Sequence, residues 1–457
     1  MLLNLYEYRM KFELNKELIS QIQDWIETKN QEALFSLSAE LHWADIAEIL
    51  DELSYEDAKY FFELLDEDIA ADILKELEED VRERLLSELS TKEIAEHIDN
   101  LDSDDAADVI AHLSEEKKEE VLSQIEDIDQ ASDIVDLLSY GEDTAGGLMA
   151  KELIHVYKNW SLLRCVREMR KQAEDVEHVY TIYVVDENEV LCGTISLKRL
   201  LLSSERTLVS QIYNEQVISV KASASKEEVA ISMQKYDLVA LPVVDELNRL
   251  IGRVTIDDAV DVLTEEAEKD YQMASGISEN IESSDSVGLL TRARLPWLLI
   301  GLLGGIMGAQ IMGYFDIEKN AQLALFAPLI AAMGGNVGVQ SSAIIVQGLA
   351  SNTLGHITLS KRLTKEFLVA LINGGFCSTI IFIVSYFMKE NLAFAETISI
   401  ALLCVIVFAA IFGTLIPLTL NKYKIDPALA TGPFITTAND VFGLCIYFYI
   451  AQWLLLT

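Results

Sequence analysis

The strongest constraint on the fold is a set of five apolar segments in the last third of the chain. Each is long enough to cross the ~30 Å hydrocarbon core of a bilayer as a helix. Their approximate limits are 295–315, 321–350, 367–388, 398–420 and 435–456. The sequence therefore predicts an all-α polytopic membrane domain with five transmembrane helices.

Basic residues flank these segments unevenly. They collect before the first segment, between the second and third, and between the fourth and fifth: Arg292, Arg294, Lys361, Arg362, Lys365, Lys422 and Lys424. The other two connections carry only Lys319 and Lys389, each with acids nearby. Because cytoplasmic loops are enriched in Lys and Arg, we expect a cytoplasmic N-terminus and an external C-terminus. The first residues also lack the apolar core of a secretory signal, so we expect the N-terminal domains to stay in the cytoplasm.

The fifth segment contains Asp440, which is the last charged residue of the chain. A carboxylate inside a membrane span is costly unless it faces water, a partner or an ion. One interpretation places Asp440 at the membrane edge, where water solvates it. Small and apolar residues continue upstream as far as Ala430, however, and favour the alternative, a cation site on a conduction path.

Glycine and amide residues occupy the centre of the second segment, at 334–342 (GGNVGVQSS). The glycines can serve close helix packing. Alternatively, Asn336 and Gln340 share one helical face, and Gly334 and Gly335 open the helix so that its carbonyls are exposed. Exposed carbonyls are tolerated at membrane depth only where they line protein or water. The sequence leaves both interpretations open.

Charge divides the chain into two parts. The formal net charge is −39, but residues 291–457 hold only seven acids and nine Lys or Arg, so residues 1–290 carry a net charge of −41. A strongly acidic surface repels nucleic acid and attracts divalent cations. The five cysteines and six histidines have no zinc, disulfide or catalytic spacing. We therefore expect neither a nucleic-acid partner nor an enzyme.

Residues 1–139 show an acidic helical repeat with a period of 24 residues. Its positions are Leu41, Leu65, Leu89 and Leu113; Ala47, Ala71 and Ala95; and Leu53, Leu77 and Leu101. Ser or Asp stands near the expected helix starts. Stacked pairs of short helices form a superhelix. The acids between the apolar positions form either a solvated face or a reversible interface that divalent cations bridge.

Two α/β modules follow the junction at 140–149 (YGEDTAGGLM). Predicted strands at 180–186 and 190–196 return as 238–245 and 249–255, which indicates an internal duplication. The segments LPVVD and GRVTIDD of the second copy resemble the CBS domain, a paired sensor module. In that family a Ser or Thr and an Asp three residues later often hold an adenosine ribose. The second copy keeps Thr255 and Asp258, whereas Arg199 follows Ser196 in the first copy, so nucleotide binding stays open.

An acidic helix is predicted to follow the second module. Asp258, Asp261 and Glu265 share one face at helical spacing. Like charges at this spacing destabilise a helix, and a divalent cation would reverse the penalty. The helix leads directly to the membrane part, so it is either a solvated helix or a coupling element, and its position and charge favour the second.

The order of these parts, together with GGNVG at 334–338, DPALA at 426–430 and NDVFGL at 439–444, resembles the MgtE family of magnesium channels. The resemblance implies a homodimer in the cell membrane with a pore on its axis. It also implies that intracellular Mg²⁺ closes the pore by binding between the acidic domains and the connecting helix, called the plug helix in that family. The implied boundaries are 1–139 for the helical domain, 140–205 and 206–262 for the CBS modules, 263–291 for the plug helix and 292–457 for the membrane domain.

The resemblance also implies the site residues. The implied pore residues are Asp440, Thr436, Asn336, Gly335 and Asp426. The implied regulatory Mg²⁺ ligands are Asp102, Asp105, Gly147, Glu227, Asp237, Asp258, Asp261, Glu266 and Asp270. Thr255 and Asp258 are the nucleotide candidates, with ATP as a modulator, and the implied partners are a second copy, membrane lipid and Mg²⁺.

Two departures from the family pattern concern Lys269, which replaces an acid of the plug helix, and the pore positions Thr436 and Gly432. Mg²⁺ gives up its water reluctantly, so a pore of one carboxylate, amides and carbonyls suits the hydrated ion. The remaining alternatives are a channel or carrier for Co²⁺ or Mn²⁺, and a non-conducting membrane-anchored CBS sensor.

Overall fold

The computed structural model describes residues 12, 14–173, 176, 178–278, 281, 286–315, 321–350, 359–388, 391–430 and 432–455. Two compact units divide the chain, Met1–Leu263 and Thr264–Thr457. The predicted loop lysines Lys319 and Lys389 lie outside the described residues.

In the part of the N-terminal unit that the structure describes, ten short helices come first. They are α1 Lys16–Glu27, α2 Gln31–Glu40, α3 Trp43–Glu52, α4 Tyr55–Phe62, α5 Glu67–Glu76, α6 Glu79–Glu88, α7 Thr91–Ile98, α8 Ser103–Ala111, α9 Glu115–Leu122 and α10 Ile128–Leu137. Ser90 caps α7 in a reciprocal capping box with Glu93, an arrangement worth about 1 kcal/mol per cap.

The predicted 24-residue period is confirmed by burial. Ala47, Ala71 and Ala95 are all buried, and so are the leucines of the third phase, Leu53, Leu77 and Leu101. Small residues at one phase let consecutive helices approach closely, while leucines fill the space between helix pairs. Side chains also link neighbouring repeats: the Gln130 amide donates to the carbonyls of Ile98 (3.0 Å) and Leu101 (2.9 Å).

The CBS pair consists of two copies of one three-stranded sheet. The first copy contains β1 Ile154–Tyr157, α11 Leu162–Gln172, β2 Ile182–Val185, β3 Leu191–Ile195 and α12 Leu197–Leu202; the second contains β4 Val220–Lys221, α13 Lys226–Tyr236, β5 Ala240–Val244, β6 Leu250–Thr255 and α14 Ile256–Ala274. In each sheet the first strand pairs parallel with the second, and the second antiparallel with the third.

The structure confirms the duplication, and both sheets have a register shift at the equivalent position. Val184 pairs with Gly193 and Val243 with Gly252, and each register shifts at the next residue. The sequence pattern predicted the last two strands of each copy. It missed β1 and β4 because these are only four and two residues long, too short to show an alternating pattern.

Five long apolar helices make up most of the second unit. They are α15 Val287–Tyr314, α16 Ala321–Ala350, α17 Leu359–Phe387, α18 Leu392–Lys422 and α19 Pro433–Leu455. Among the described residues, five helices are long and apolar enough to cross a membrane, which confirms the predicted spans. The first, third and fourth begin several residues earlier than predicted, because charged residues near their N-terminal ends (Arg292, Lys361 and Glu396) lower the hydropathy there.

The predicted opening of the second span at Gly334 and Gly335 is wrong. The helix α16 is continuous from Ala321 to Ala350, because within a membrane a broken helix would leave backbone groups unpaired. The glycines serve close packing instead. A Cβ atom at Gly334 would lie 3.1 Å from Val405 Cγ1, and a Cβ atom at Gly413 would overlap the Gly338 carbonyl oxygen.

Candidate functional site

Three predicted pore residues meet where α16 contacts α19. Gly335 faces α19: a Cβ atom there would lie 3.1 Å from Thr436 Cγ2 and 3.5 Å from Asp440 Oδ1. Thr436 and Asp440 are one helical turn apart, so they share a face of α19. The Asp440 side chain is half-buried. The Asp440 carboxylate, the Thr436 methyl group and the α16 backbone at Gly335 therefore lie close together.

The other two predicted pore residues are exposed. Asn336 follows Gly335 on α16, and Gln340 lies one turn further along the same exposed face. Asp426 lies between the end of α18 and the short 3₁₀ turn Pro427–Ala430, where its carboxylate accepts a hydrogen bond from the Ala428 N–H at 2.8 Å. The structure therefore places Asp426 in a connecting segment rather than in a span.

The end of α14 packs against the start of α19. Gly276, at φ +82°, approaches Pro433 so closely that a Cβ atom would lie 2.5 Å from Pro433 Cγ. Gly432, at φ +52°, leaves no room for a side chain, because a Cβ atom would overlap the Ala274 carbonyl oxygen. Both conformations favour glycine. Gly432 is thus the residue that lets α14 approach the helix that carries Asp440.

Carboxylates of the helical repeat and of the CBS pair converge at the start of α8. Oxygen atoms of Asp102, Asp104 and Glu152 all lie within 4.8 Å of one another. Glu152 accepts hydrogen bonds from Ser103 Oγ (2.8 Å) and from the Ser103 N–H (3.1 Å). Burial, followed by repulsion from Asp258, raises the pKa of Asp104 well above its ordinary value. Three half-buried carboxylates at this separation match the oxygen ligands that Mg²⁺ and Ca²⁺ prefer.

Asp258 joins this acidic group from the first turn of α14. Its carboxylate accepts hydrogen bonds from Thr255 Oγ1 (2.7 Å) and the Thr255 N–H (3.0 Å). The pKa of Asp258 is nevertheless raised to about 7, mainly by burial. The charges of Asp257 and Asp105 also raise this pKa, whereas the hydrogen bonds from Thr255 lower it. The pKa of Glu76 is also raised, mainly by burial and in part by the charge of Asp261, which lies one turn after Asp258.

Sequence reasoning found part of this group and missed the rest. It predicted Asp102, Asp105, Asp258 and Asp261 but not Asp104, Glu152 or Glu76. Asp105 instead forms an ion pair with Lys75 at 3.2 Å, because the two lie on facing helices of adjacent repeats. No sequence pattern indicated Glu152 as a cation ligand, because it lies outside both the helical repeat and the predicted strands. Asp104 was detectable as the second acid of the DSDD segment at 102–105.

The remaining predicted regulatory residues lie elsewhere. Glu227 and Asp237 are exposed near opposite ends of α13, about 15 Å apart by helix rise. Gly147 lies in the turn before β1 and donates its N–H to the Thr144 carbonyl at 3.1 Å. Glu266 and Asp270 are half-buried on α14. Lys269, the departure noted above, pairs with Glu266 at 3.1 Å and so neutralises one predicted ligand.

A second polar site surrounds Arg253 in the CBS pair. This arginine is buried, donates from Nη1 to the His178 carbonyl (3.2 Å) and lies 5.6 Å from the Tyr180 ring centre. Arg253 Nε and Tyr183 Oη are buried with no hydrogen-bond partner among the described residues. Thr255, two residues later, and Asp258 are bonded to each other as described above. A buried guanidinium, a stacked tyrosine and a Thr–Asp pair suit a phosphorylated nucleoside.

Family models cover most of the chain. The model described as "Divalent cation transporter" (MgtE) matches residues 327–450. The MgtE intracellular N domain matches 41–143, and the CBS domain matches 145–205 and 209–265.

Individual relatives agree with these matches. The chain is 35% identical over 326 residues to "Magnesium transporter MgtE" of Enterococcus faecalis, covering 71% of this chain and 72% of the relative. It is 36% identical over 323 residues to the protein of the same name from Thermus thermophilus, covering 70% and 72%. A crystal structure of the cytosolic domain of the Mg²⁺ channel MgtE in complex with ATP is 34% identical, with a TM-score of 0.50, and covers 53% of this chain and 99% of that one. The chain belongs to the MgtE family of divalent cation transporters.

Proposed function

We propose that the chain is a magnesium channel that carries Mg²⁺ across the cell membrane into the cytoplasm past Asp440. The observation that carries the proposal is the meeting of Gly335, Thr436 and Asp440 between two membrane helices. A single carboxylate beside small side chains leaves space for a hydrated ion. Mg²⁺ binds through its waters more readily than it loses them. The choice of Mg²⁺ as the transported ion follows the names of the relatives. No catalytic step is assigned to the chain.

Internal Mg²⁺ closes this channel. Divalent cations bind among the acids at 102, 104, 152 and 258 and cancel their repulsion, which stabilises the contact between the helical repeat and the second CBS module. Asp258 lies in the first turn of α14, and the last turn of the same helix touches Gly432. Ion binding at one end therefore favours the docked position of the other end beside α19. Asp261, Glu266 and Asp270 extend the acidic surface along α14, and Asp426 attracts cations at the mouth of the path.

The channel is a homodimer surrounded by lipid. One chain supplies one pore carboxylate and leaves Asp440 half-exposed and Asn336 exposed, so a second copy is needed to close the conduction path. The basic residues place the N-terminus in the cytoplasm and the C-terminus outside. A C-terminal tag should accordingly be cleaved by external protease in intact cells, and protection until lysis would contradict this orientation.

ATP binds beside Arg253 and modulates the gate. The site shares Asp258 with the acidic group through its hydrogen bonds to Thr255. Nucleotide binding at Thr255 therefore changes the electrostatics of the same carboxylate that Mg²⁺ binds. Through Asp258, ATP and Mg²⁺ both act on α14.

The test is ion flux in liposomes that contain the full chain. Mg²⁺, Mn²⁺ and Co²⁺ are compared at matched external concentrations, with internal Mg²⁺ varied from micromolar to several millimolar. The proposal predicts a larger flux of Mg²⁺ than of the other two ions, and closure as internal Mg²⁺ rises. Preferential flux of Co²⁺ or Mn²⁺ would contradict the assigned ion, and flux independent of internal Mg²⁺ would contradict the gate.

A further inference from the structure

Asn439, the residue before Asp440, is the most unusual polar group in the membrane part. Its side chain is 1% exposed. Neither Oδ1 nor Nδ2 has a hydrogen-bond partner among the described residues. Leaving a buried amide unpaired destabilises the arrangement in which it occurs.

The fold gives this amide a dedicated space. A Cβ atom at Gly338 would overlap Asn439 Nδ2 and lie 2.8 Å from Ile435 Cγ2, so the absence of a side chain at residue 338 makes room for Asn439. Gly334 completes the notch, since a Cβ atom there would lie 3.6 Å from the Asn439 carbonyl oxygen. The Gly338 backbone and the Ile435 methyl group line this notch, and neither Asn439 atom finds a hydrogen-bond partner there among the described residues. The Asn439 amide therefore fits the notch in shape but gains no hydrogen bond there from the described residues. The position of α19 keeps it in the notch.

The position of α19 is in turn tied to α14. Gly432 and Pro433, at the start of α19, pack against Ala274 and Gly276. The structure therefore describes the docked arrangement, which the proposed function identifies as closed. In this arrangement Asn439 points into the notch while Asp440, about 100° further round the helix, faces Gly335.

We propose that Asn439 is a gating residue whose side-chain amide is unpaired in the docked arrangement and hydrogen-bonds to pore water when α14 leaves Gly432 and α19 shifts. The inference rests on the proposed function, because it needs a path that opens and closes. Asn439 thus opposes closure, and the free energy of Mg²⁺ binding has to overcome this opposition. Without the amide, less internal Mg²⁺ would close the channel.

Asn439→Leu tests the inference because leucine has the same branching but no polar atoms. Removing an unpaired polar group from the closed arrangement should raise the ratio of closed to open channels roughly fivefold or more. At the internal Mg²⁺ concentration that halves wild-type flux, the variant should therefore retain about one sixth of its own maximal flux, or less. Asn439→Ser should shift closure in the same direction but by less, because a serine hydroxyl in a helix donates to the carbonyl four residues earlier, as Ser399 does to Ala395 at 2.7 Å.

Ser385→Ala is the matched control. Ser385 Oγ is also buried without a hydrogen-bond partner among the described residues, but it lies on α17 and touches neither Gly338 nor α19 in any contact described above. Its removal should leave the Mg²⁺ midpoint unchanged. Mg²⁺-dependent protease protection of α14, measured on the same samples, supplies a readout that does not depend on conduction.

The outcomes separate the two proposals. A lower Mg²⁺ midpoint for Asn439→Leu in both flux and protease protection, with Ser385→Ala unchanged, supports the gating role. An unchanged or higher midpoint for Asn439→Leu overturns it, and so does an equal shift in Ser385→Ala. If Asn439→Leu does not fold, Asn439→Ala must shift the midpoint in the same direction. A wild-type protein that does not conduct Mg²⁺, or does not close, contradicts the proposed function itself.

Discussion

Gly335 and Asp440 face each other across the contact of α16 with α19, and the point where a Gly335 Cβ atom would lie is 3.5 Å from Asp440 Oδ1. Glycine at this position leaves the carboxylate uncovered on one side. A hydrated cation needs that space, because it is much wider than a bare ion. The size of residue 335 should therefore limit conduction.

Gly335→Val is expected to reduce Mg²⁺ flux at least tenfold in liposomes at low internal Mg²⁺. Its branched side chain would crowd Thr436, which already lies 3.1 Å from the Cβ position, and cover Asp440. Gly305→Val is the matched control, since a Cβ atom at Gly305 has no neighbour within 4 Å. Equal losses in both variants would indicate a general effect on helix packing instead of a blocked path.

Low pH should imitate Mg²⁺ at the acidic group. The pKa of Asp258 is raised to about 7 in the folded chain from an ordinary value of 3.8, so the folded state binds more protons than the unfolded state between these values. The contribution of Asp258 to stability is therefore fully present below its ordinary pKa of 3.8 and is lost as pH rises through about 7. Without Mg²⁺, we expect greater protease protection of residues 100–110 at pH 6 than at pH 8. Mg²⁺ should bind more weakly at pH 6, because it competes with the proton.

Asp258→Asn tests the assignment of this pH dependence. The variant should lose most of the difference between pH 6 and pH 8, and its protease protection should require less Mg²⁺ or none. Glu268→Gln, a change at an exposed residue of the same helix, should leave both unaltered. A pH dependence that persists in Asp258→Asn would assign it to Asp104 or Glu152 instead, whose pKa values burial also raises.

Lys269→Glu should make the gate more sensitive to Mg²⁺. Lys269 Nζ lies 3.1 Å from Glu266 Oε1, and an exposed pair of this kind contributes only about 0–1 kcal/mol to stability. The substitution frees one acid and adds another, so the channel should close at a lower internal Mg²⁺ concentration. Lys171→Glu makes the same charge change on α11, where the side chain is exposed, and should not alter closure. A higher closing concentration in Lys269→Glu would exclude α14 from the ion-binding surface.

ATP should raise the unfolding temperature of the purified chain through Arg253. Arg253→Lys keeps the charge but loses the planar guanidinium, and Tyr180→Ala removes the stacked ring, so both should weaken ATP binding at least tenfold by calorimetry. Arg249→Lys alters an arginine that is exposed and paired with Asp245 at 2.6 Å, and it should bind ATP normally. Undiminished binding by Tyr180→Ala and Arg253→Lys would place the nucleotide elsewhere.

Periodic features of the fold were predictable from the sequence. The phase of Ala47, Ala71 and Ala95 recurs because each repeat buries the same small position, and hydropathy alone reveals five spans. Thr255 and Asp258 came from the resemblance to the CBS domain, and the structure joins their side chains by a hydrogen bond of 2.7 Å. The candidates Asp102 and Asp258 came from the family resemblance, since residues so far apart in the chain share no local pattern.

The sequence could not reveal groups whose environment depends on tertiary packing. Glu152 reaches Ser103 only because a loop of the CBS pair crosses the start of α8. Asn439 stands beside Asp440 in the same motif, and nothing in the sequence distinguishes a buried amide from an exposed one. Its burial depends on Gly338, which is a hundred residues earlier in the chain. For the same reason the glycines at 334 and 335 looked like a helix break, whereas packing against α18 and α19 keeps them helical.

Whether Asp440 lies on the conduction path is tested by Mg²⁺ flux through Asp440→Asn, compared with wild type in the same liposomes at low internal Mg²⁺. Glu396→Gln, which removes an exposed acid from the second turn of α18, serves as the control for loss of charge. If Asp440 holds the hydrated ion on the conduction path, Asp440→Asn should fold and insert normally and lose at least nine tenths of the flux, while Glu396→Gln stays near wild type. Undiminished Mg²⁺ flux through a correctly inserted Asp440→Asn channel would contradict the account.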